Sequence, residues 1–318
     1  MNIPLVSVLM PAYNAEKYIS AAIGSVLDQS FTDFELIIVN DGSADDTEKI
    51  IRSFPDERIT LVNRENGGVA AALNTGLEKA RGKYIARFDA DDICYPDRLA
   101  VQFAFMEANP GYILIGSNAD YITEGGDFIY HHHCFAYTNE DLSERIHFYC
   151  PFIHSSVMYK REEVWQMGGY NTMAHTFEDY FLWVHLISKG KMANLPKSLI
   201  KERLNPGSGT IDEKWRGRKF RKLKRQIILA GQITKWQELD LLKIIKRQDI
   251  QRVKEGAYYA LCAKKFLTDN YQPRKAREYT GKAIRTNPLR WDNYALFLVG
   301  YLPEKFIQWL HRKSPNKL

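Results

Sequence analysis

Short apolar runs alternate with helical patterns four times in the first third of the chain, and this alternation limits the folds open to it. The runs are LVSVLMPAY, FELIIVND, RITLVNR and KYIARFD, which begin about 25 to 30 residues apart. Each is followed by a helical stretch, such as AEKYISAAIGSVLDQ after the first. Repeated strand and helix units of this kind predict an α/β fold with a mainly parallel sheet covered by helices.

Polar residues follow these runs at the points where the predicted strands end. Ligands of such sheets bind beyond the carboxyl ends of the strands, so we expect these side chains to converge on one crevice. The residues are Tyr13, Asn14, Asp41, Arg64, Asp89 and Asp91. The first turn, MPAYNAEKY, contains no glycine, which excludes a dinucleotide site of the G-x-G-x-x-G type.

The stretch RFDADD, residues 87 to 92, gathers three carboxylates within four positions. Like charges this close repel and raise one another's pKa. If the strand runs to residue 89, Asp89 and Asp91 face the same side of the chain, about 7 Å apart. Such a pair suits Mn²⁺ or Mg²⁺ shared with a diphosphate. The alternative is a solvated loop in which Asp92 caps a helix that begins near Pro96.

Several ordered motifs resemble the family 2 glycosyltransferases, which are inverting enzymes with the GT-A fold. The motifs are VSVLMPAYNAEKYISAAIGSVLDQSFTDFELIIVNDGSADDTEKII, RENGGVAAALNTGLEKARGKYIARFDADD and FEDYFLWVHL, within roughly residues 5 to 210. The resemblance implies a GT-A domain over residues 1–210 and a nucleotide-sugar donor, for which we expect a UDP-sugar. It also implies a glycan or lipid-linked acceptor in the biosynthesis of polysaccharide, lipopolysaccharide or another cell-surface glycan.

The resemblance assigns a nucleotide site to the predicted crevice. Pro11, Tyr13 and Asp41 would hold the base, with Tyr13 stacking on the ring and Asp41 accepting a hydrogen bond from the ring N–H. Asn14, beside Tyr13, is placed in the same nucleotide-sugar site. Arg64 and Asn74 lie near this edge as well, but an ion pair or a helix cap explains them as well as ligand contact does.

The same resemblance assigns the metal and the chemistry. Asp89 would face the ribose or the metal, and Asp91 would coordinate the metal against the diphosphate. In FEDY, Asp179 would be the catalytic base and Glu178 would support the base or the acceptor. His154, in PFIHSSVMYK, lies where the family approaches the acceptor, and acceptor contact and structural packing remain equally open for it.

Two further clusters have simpler interpretations. The triplet of His131, His132 and His133 resembles a metal site, but adjacent side chains on an extended chain alternate sides and do not converge on one ion. In NDGSADDT, Asp45 and Asp46 suit a turn and the start of a helix. We therefore predict structural roles for both clusters.

The sequence departs from the family pattern at two positions. Relatives often carry an Arg-x-His combination where this chain reads RLNPGSG, with Asn205 at the position of the histidine. His185, in LWVHL, stands where relatives often have arginine. These differences leave the phosphate or metal role of that region open and are expected to tune the donor or the acceptor.

The net charge of +6 hides two regions of opposite sign. Residues 1–210 carry 18 Lys and Arg against 28 Asp and Glu, whereas residues 211–318 carry 26 against 10. The second region opens with KWRGRKFRKLKR and continues in helical patterns, so we predict a basic α-helical region that binds a membrane surface or a partner. Because family members often use lipid-linked acceptors, an anionic membrane is favoured. No nucleic-acid motif accompanies the basic run, so nucleic acid is not expected.

Cysteine content and the N-terminus indicate the cellular compartment. Four cysteines have no CxxC spacing, and MNIPLVSVLMPAYN lacks the features of a signal peptide. We therefore expect free thiols and a cytoplasmic protein, peripheral on the inner face of the cell membrane. The predicted function is metal-dependent, inverting glycosyl transfer. The alternative is a non-catalytic relative that binds nucleotide or membrane.

Overall fold

The computed structural model describes residues 3–207, 217–248 and 250–312. Two compact units are built from separate segments of the chain. The first comprises the described residues within Met1–Ala119, His132–Glu202 and Lys222–Leu241, and the second those within Asp120–His131, Arg203–Arg221 and Leu242–Leu318. The units therefore do not follow a single cut in the sequence. The predicted boundary at residue 210 lies outside the described residues, and that division stays a prediction.

Four parallel strands form the part of the sheet that the apolar runs predicted. They are β1 (Val6–Ala12), β2 (Phe34–Asn40), β3 (Ile59–Asn63) and β4 (Tyr84–Arg87), in the order β3, β2, β1, β4. Val6 of β1 is in register with Phe34 of β2 and with Tyr84 of β4. Strands β2 and β4 are buried at every position, as expected for strands covered on both faces.

Helices connect these strands and cover the sheet. They are α1 (Ile19–Leu27), α2 (Thr47–Arg52), α3 (Val69–Lys79) and α4 (Arg98–Ala108). Helix α3 packs closely because Gly76 has no side chain: a Cβ there would lie 1.9 Å from Leu9 Cδ1. Apolar side chains of β1, β2, α1 and neighbouring elements form the core of the first unit, which includes Leu36, Ile23 and Met106.

Beyond β4 the sheet is mixed rather than parallel. The additional strands are β5 (Ile93–Cys94), β6 (Tyr112–Ile122), β7 (Phe128–His132), β8 (Met158–Lys160) and β9 (Lys191–Arg203). Strand β8 is antiparallel to β4 and to β6, and β5 is antiparallel to β9. The regular strand and helix alternation of the sequence ends near residue 110, so periodicity alone did not predict this half.

Nine more helices follow α4 within the described residues. Three belong to the first unit: α5 (Asn139–Arg145), α6 (Arg161–Gln166) and α7 (Glu178–Leu186). The remainder are α8 (Arg218–Ala230), α9 (Lys235–Gln248), α10 (Gln251–Thr268), α11 (Pro273–Thr286), α12 (Trp291–Val299) and α13 (Glu304–Arg312). The predicted helical C-terminal region is confirmed for its described residues.

A second core holds the second unit together. Residues of α10 and α11, including Tyr258, Phe266 and Ala276, pack with Tyr121 and Ile129 from the β6 and β7 hairpin. The four cysteines are all described and form no disulfide. In the described part of the chain, every helix is too short or too polar to cross a bilayer.

Candidate active site

The acidic stretch after β4 forms a tight turn. The strand ends at Arg87, two residues earlier than the extended geometry assumed, and residues 90 and 91 are in a turn. Carboxylate oxygens of Asp89, Asp91 and Asp92 all lie within 4.8 Å of one another. The turn therefore brings together three carboxylates, where an extended chain would have paired only Asp89 and Asp91.

Asp92 belongs to this cluster and is not a helix cap. Its side chain is buried, and α4 begins six residues later, with Asp97 at the N-cap position. Burial raises the pKa of Asp92 well above its usual range, and the neighbouring Asp91 and Asp89 raise it further. The cluster is therefore costly when fully charged and favours a cation beside it.

A buried arginine provides part of that positive charge. Arg87 is 3% exposed and forms an ion pair with Asp89. Helix α4 holds the same strand end, because Arg98 donates to the Arg87 carbonyl at 2.6 Å. Sequence reasoning missed Arg87 as a site residue, although it is the first residue of RFDADD, and it counted Asp92 among the clustered carboxylates without assigning it to the metal site.

A second cluster consists of His154, Glu178 and Asp179, whose ligand atoms also lie within 4.8 Å of one another. His154 begins a short 3-10 turn before β8, and Glu178 and Asp179 occupy the first turn of α7. Ser155 of the same 3-10 turn accepts a hydrogen bond from the Asp89 N–H at 3.0 Å. The turn thus links the two clusters through the backbone.

Protonation differs sharply within the second cluster. Burial raises the pKa of Glu178 to about 7, and the adjacent Asp179 contributes to the rise, while Arg87 opposes it. Burial and the charge of Arg87 hold the pKa of His154 well below its usual range. At neutral pH, His154 is uncharged and Glu178 is partly protonated. Asp179 therefore has a neighbour that can share a proton with it.

Side chains around the second cluster hold it in place. His154 Nε2 lies 3.2 Å from the Tyr170 hydroxyl, and its ring packs edge-on against Trp183. Asn74 fixes Tyr170, donating to its carbonyl and accepting from its N–H, both at 2.8 Å. The Cys150 thiol donates to Asp179 Oδ2 at 3.7 Å. Asn74 therefore acts structurally here, and any ligand contact by it stays a prediction.

The predicted nucleotide crevice has internal partners at its centre. Asp41 follows β2, is buried, and pairs with Arg64. Its carboxylate also accepts hydrogen bonds from the N–H groups of Gly67 and Gly68, the latter at 2.8 Å. The structure therefore gives Arg64 the ion-pair role left open by the sequence. A nucleotide base that donates a hydrogen bond to the Asp41 carboxylate would share this carboxylate with Arg64 and with the N–H groups of Gly67 and Gly68.

The other residues of this crevice lie at the end of β1. Pro11 is within the strand, and Tyr13 is 55% exposed, so its ring is accessible for stacking. Asn14 adopts a left-handed backbone conformation with φ of 48°. Its side-chain oxygen accepts from the Ala44 N–H at 2.9 Å, which ties β1 to the loop after β2. Contact of these residues with a nucleotide stays a prediction.

Helix α8 and the residue that follows it contact α7, the helix that carries the acidic pair. The Lys224 ammonium lies 5.1 Å from the centre of the Tyr180 ring. His185 lies between two carbonyl oxygens, with Nδ1 2.6 Å from that of Phe181 and Nε2 2.9 Å from that of Gly231. His185 therefore joins α7 to the end of α8. Part of the basic C-terminal region supports the site.

The three histidines of the triplet lie in different surroundings, and so does Asn205. His131 Nδ1 lies 2.7 Å from Asp120, His133 contacts Asn118, and the His132 ring packs edge-on against Phe135. The three rings therefore have three different neighbours. Asn205 accepts from the Gly207 N–H at 2.8 Å.

The raised pKa of Glu178 predicts how the free energy of unfolding depends on pH, and this can be measured without substrate. Its ordinary pKa is 4.5 and its folded value about 7, so its contribution to stability is full below pH 4.5 and is lost as pH rises through 7. Glu178→Gln is neutral at every pH and should raise the free energy of unfolding at pH 8.5 by up to about 3 kcal/mol, with little gain near pH 5. Denaturant unfolding with chelator measures this. The exposed Glu162→Gln is the control, and a Glu178→Gln variant less stable than wild type at pH 8.5 would contradict the assignment.

Comparison with known proteins identifies the family. Residues 7–168 match the model of glycosyl transferase family 2, which is half of the chain, so the chain belongs to this family. The putative teichuronic acid biosynthesis glycosyltransferase TuaG of Bacillus subtilis is 35% identical over 225 residues, covering 68% of this chain and 85% of TuaG. The chain spans only about a third of several Rickettsia glycosyltransferases that it also matches, for example 35% of one from Rickettsia conorii.

Solved structures show the GT-A fold. The S. aureus TarS 1-349 complex with UDP has a TM-score of 0.55 at 17% identity, covering 97% of this chain and 91% of that one. The mannosyltransferase PcManGT from Pyrobaculum calidifontis, in complex with GDP-Man and Mn²⁺, also has a TM-score of 0.55, at 18% identity, covering 100% and 89%. The expected α/β fold of GT-A type with a helical C-terminal region is thus confirmed.

Proposed function

We propose that the chain catalyses inverting, metal-dependent transfer of a sugar from a UDP-sugar to a glycan or lipid-linked acceptor. One observation carries the proposal. A cluster of three carboxylates and a cluster of His154, Glu178 and Asp179 are linked through Ser155, and Arg87 and Asp89 are near enough to affect the pKa of Glu178. A group that binds a cation and a group that can take a proton are therefore neighbours.

The three-carboxylate cluster fits a divalent cation. Mn²⁺ and Mg²⁺ prefer oxygen ligands and combine one or two carboxylates with phosphate oxygens. Asp91 and Asp89 would hold the ion, and Asp92 is the buried member of the cluster. A bound ion would stabilise the charge that develops on the departing diphosphate. Arg87 holds Asp89 in place by their ion pair.

Asp179 is the proposed general base. The acceptor hydroxyl has to lose its proton as its oxygen attacks the anomeric carbon and the bond to the diphosphate breaks. Attack opposite the leaving group inverts the anomeric centre. Glu178, partly protonated at neutral pH, can donate to Asp179 and keep the two carboxylates from repelling each other. Cys150 and the first turn of α7 orient Asp179 for this task.

Relatives suggest the process that this transfer serves. TuaG is named for teichuronic acid biosynthesis, and the O-antigen biosynthesis glycosyltransferase WbnJ of Escherichia coli is 30% identical over 208 residues. We therefore place the reaction in surface-polysaccharide biosynthesis, at the cytoplasmic face of the membrane. The basic side chains of α8, including Arg218, Lys219 and Lys222, are exposed and suit anionic lipid.

A nucleotide-sugar screen tests the proposed function directly. We expect UDP-sugars with Mn²⁺ to raise the melting temperature by several degrees, and one of them to be turned over when a suitable acceptor is added. GDP-sugars and the same UDP-sugars with chelator are the controls. Stabilisation by nucleotide alone, with no transfer to any acceptor, would instead favour a non-catalytic relative that only binds nucleotide.

A further inference from the structure

Helix α12 presents an apolar face to solvent. Trp291, Tyr294 and Leu298 are spaced as i, i+3 and i+7 and are 79%, 45% and 68% exposed. This spacing places them on one side of the helix. Leu289, just before the helix, is 93% exposed, and Tyr301, just after it, is 64% exposed. We call these five residues the α12 face.

Other residues of α12 pack against the second unit. The helix is therefore held in place although its apolar face is exposed. Leu296 and Val299 pack against the core of the second unit, and Asn293 is buried. Arg277 of α11 donates to the Gly300 carbonyl at 2.5 Å, and its guanidinium lies 4.6 Å from the centre of the Tyr301 ring. The helix is thus fixed with its apolar face directed outward.

We propose that the α12 face inserts into the interface of an anionic bilayer. This deepens the membrane association proposed above and rests on it. Tryptophan and tyrosine with leucine are the side chains that favour the headgroup boundary. The net positive charge of this segment favours lipid over a second copy of the chain, because the described residues 251–312 carry 12 Lys and Arg against 5 Asp and Glu. Two copies would bring like charges together, whereas anionic headgroups complement them.

The basic part of helix α8, residues 218–225, does not supply this apolar contact. Phe220, interleaved with its lysines and arginines, is 1% exposed, and Leu223 is half-buried. Trp215 of the same run lies outside the described residues. This basic part of α8 therefore offers charge, and the α12 face offers apolar and aromatic side chains. The two contributions can be separated by substitution.

The test compares two matched pairs of surface substitutions in the full chain. One variant is Trp291→Ala with Leu298→Ala in α12. The control is Trp236→Ala with Leu239→Ala in α9, which removes a tryptophan of the same 79% exposure and a leucine of 38% exposure. Both should keep the wild-type melting temperature, since all four side chains lie on the surface.

Flotation with phosphatidylcholine vesicles, with and without phosphatidylglycerol, gives the readout. We expect wild type and control to bind the anionic vesicles, and the α12 variant to bind on the order of tenfold more weakly. Brominated lipid should quench tryptophan emission in wild type, and Trp291→Phe should lose most of that quenching while still binding.

Three results would overturn the proposal. Equal binding of wild type and the α12 variant would leave membrane association to basic charge alone. No binding by wild type would remove membrane association altogether, while the nucleotide-sugar screen would still decide glycosyl transfer. A dimer seen by sedimentation in wild type and lost in the α12 variant, with no vesicle binding, would make this face a contact between copies.

Discussion

Asp179→Asn should cut sugar transfer by a factor on the order of 10² to 10⁴, the usual contribution of a general base. Asparagine keeps the shape of the side chain and can still accept a hydrogen bond from the Cys150 thiol. It cannot take the proton of the acceptor hydroxyl. Affinity for UDP and Mn²⁺ should stay near wild type, because the three-carboxylate cluster is unchanged. Release of UDP in the presence of acceptor measures turnover, and the melting-temperature shift with UDP and Mn²⁺ measures binding.

The structure makes this loss separable from unfolding. Asp179 contributes to the raised pKa of Glu178, so removing its charge should relieve repulsion and leave the variant at least as stable as wild type. Exposed Glu162→Gln serves as a carboxylate-to-amide control and should keep full activity. Transfer by Asp179→Asn at the wild-type rate would remove Asp179 as the base. A product that keeps the donor's anomeric configuration by NMR would remove the inverting mechanism.

The alternation of strand and helix patterns predicted the part of the fold that is built from repeated strand and helix units. The four parallel strands follow from buried apolar runs, and Asp41 and Asp89 follow from their place just after strand ends. Asp179 came from the FEDY motif, and the structure places it beside His154 and Glu178. These assignments needed only short segments of sequence and the rule that ligands gather at strand carboxyl ends.

The parts that sequence reasoning missed depend on contacts between distant segments. Nothing in the composition of RFDADD distinguishes a capping Asp92 from a buried one, because the residues that affect its carboxyl include Ser155 and Glu202, far along the chain. Arg87 becomes a site residue only because it is buried beside Asp89. The antiparallel pairing of β4 with β8 joins residues more than 70 positions apart, and periodicity carries no information on such pairs.

The C-terminal region makes contacts near the catalytic site that its charge did not predict. Charge predicted a basic helical region over residues 211–318 that binds a membrane surface or a partner, and within it Lys224, Gly231 and Glu238 also contact residues of α7 or the segment before it. Truncation before Lys214 would remove these contacts together with the basic charge. A truncated protein that failed to bind vesicles could simply have lost its fold, so single-site substitutions are the sounder test of membrane binding.

Asp91→Asn should uncouple nucleotide binding from metal. In wild type we expect UDP to raise the melting temperature only with Mn²⁺ or Mg²⁺, because the clustered carboxylates of Asp89, Asp91 and Asp92 oppose a diphosphate until a cation lies between them. A nucleotide present at 100 times its Kd stabilises by about 2.7 kcal/mol, which is several degrees for this chain. The variant should lose most of that shift, and transfer with it.

Asp91→Asn should also change the stability of the metal-free protein, which provides a second test. Without metal, Asp91→Asn removes one charge from a repulsive cluster and lessens the rise in the pKa of the buried Asp92. The metal-free variant should therefore be more stable than metal-free wild type, whereas exposed Glu57→Gln should change neither stability nor the response to UDP and Mn²⁺. A metal-free variant that is less stable than wild type would contradict the repulsion assigned to Asp91 in this cluster. A UDP shift that is equal with Mn²⁺ and with chelator in wild type would show that the cluster does not couple the nucleotide to a cation.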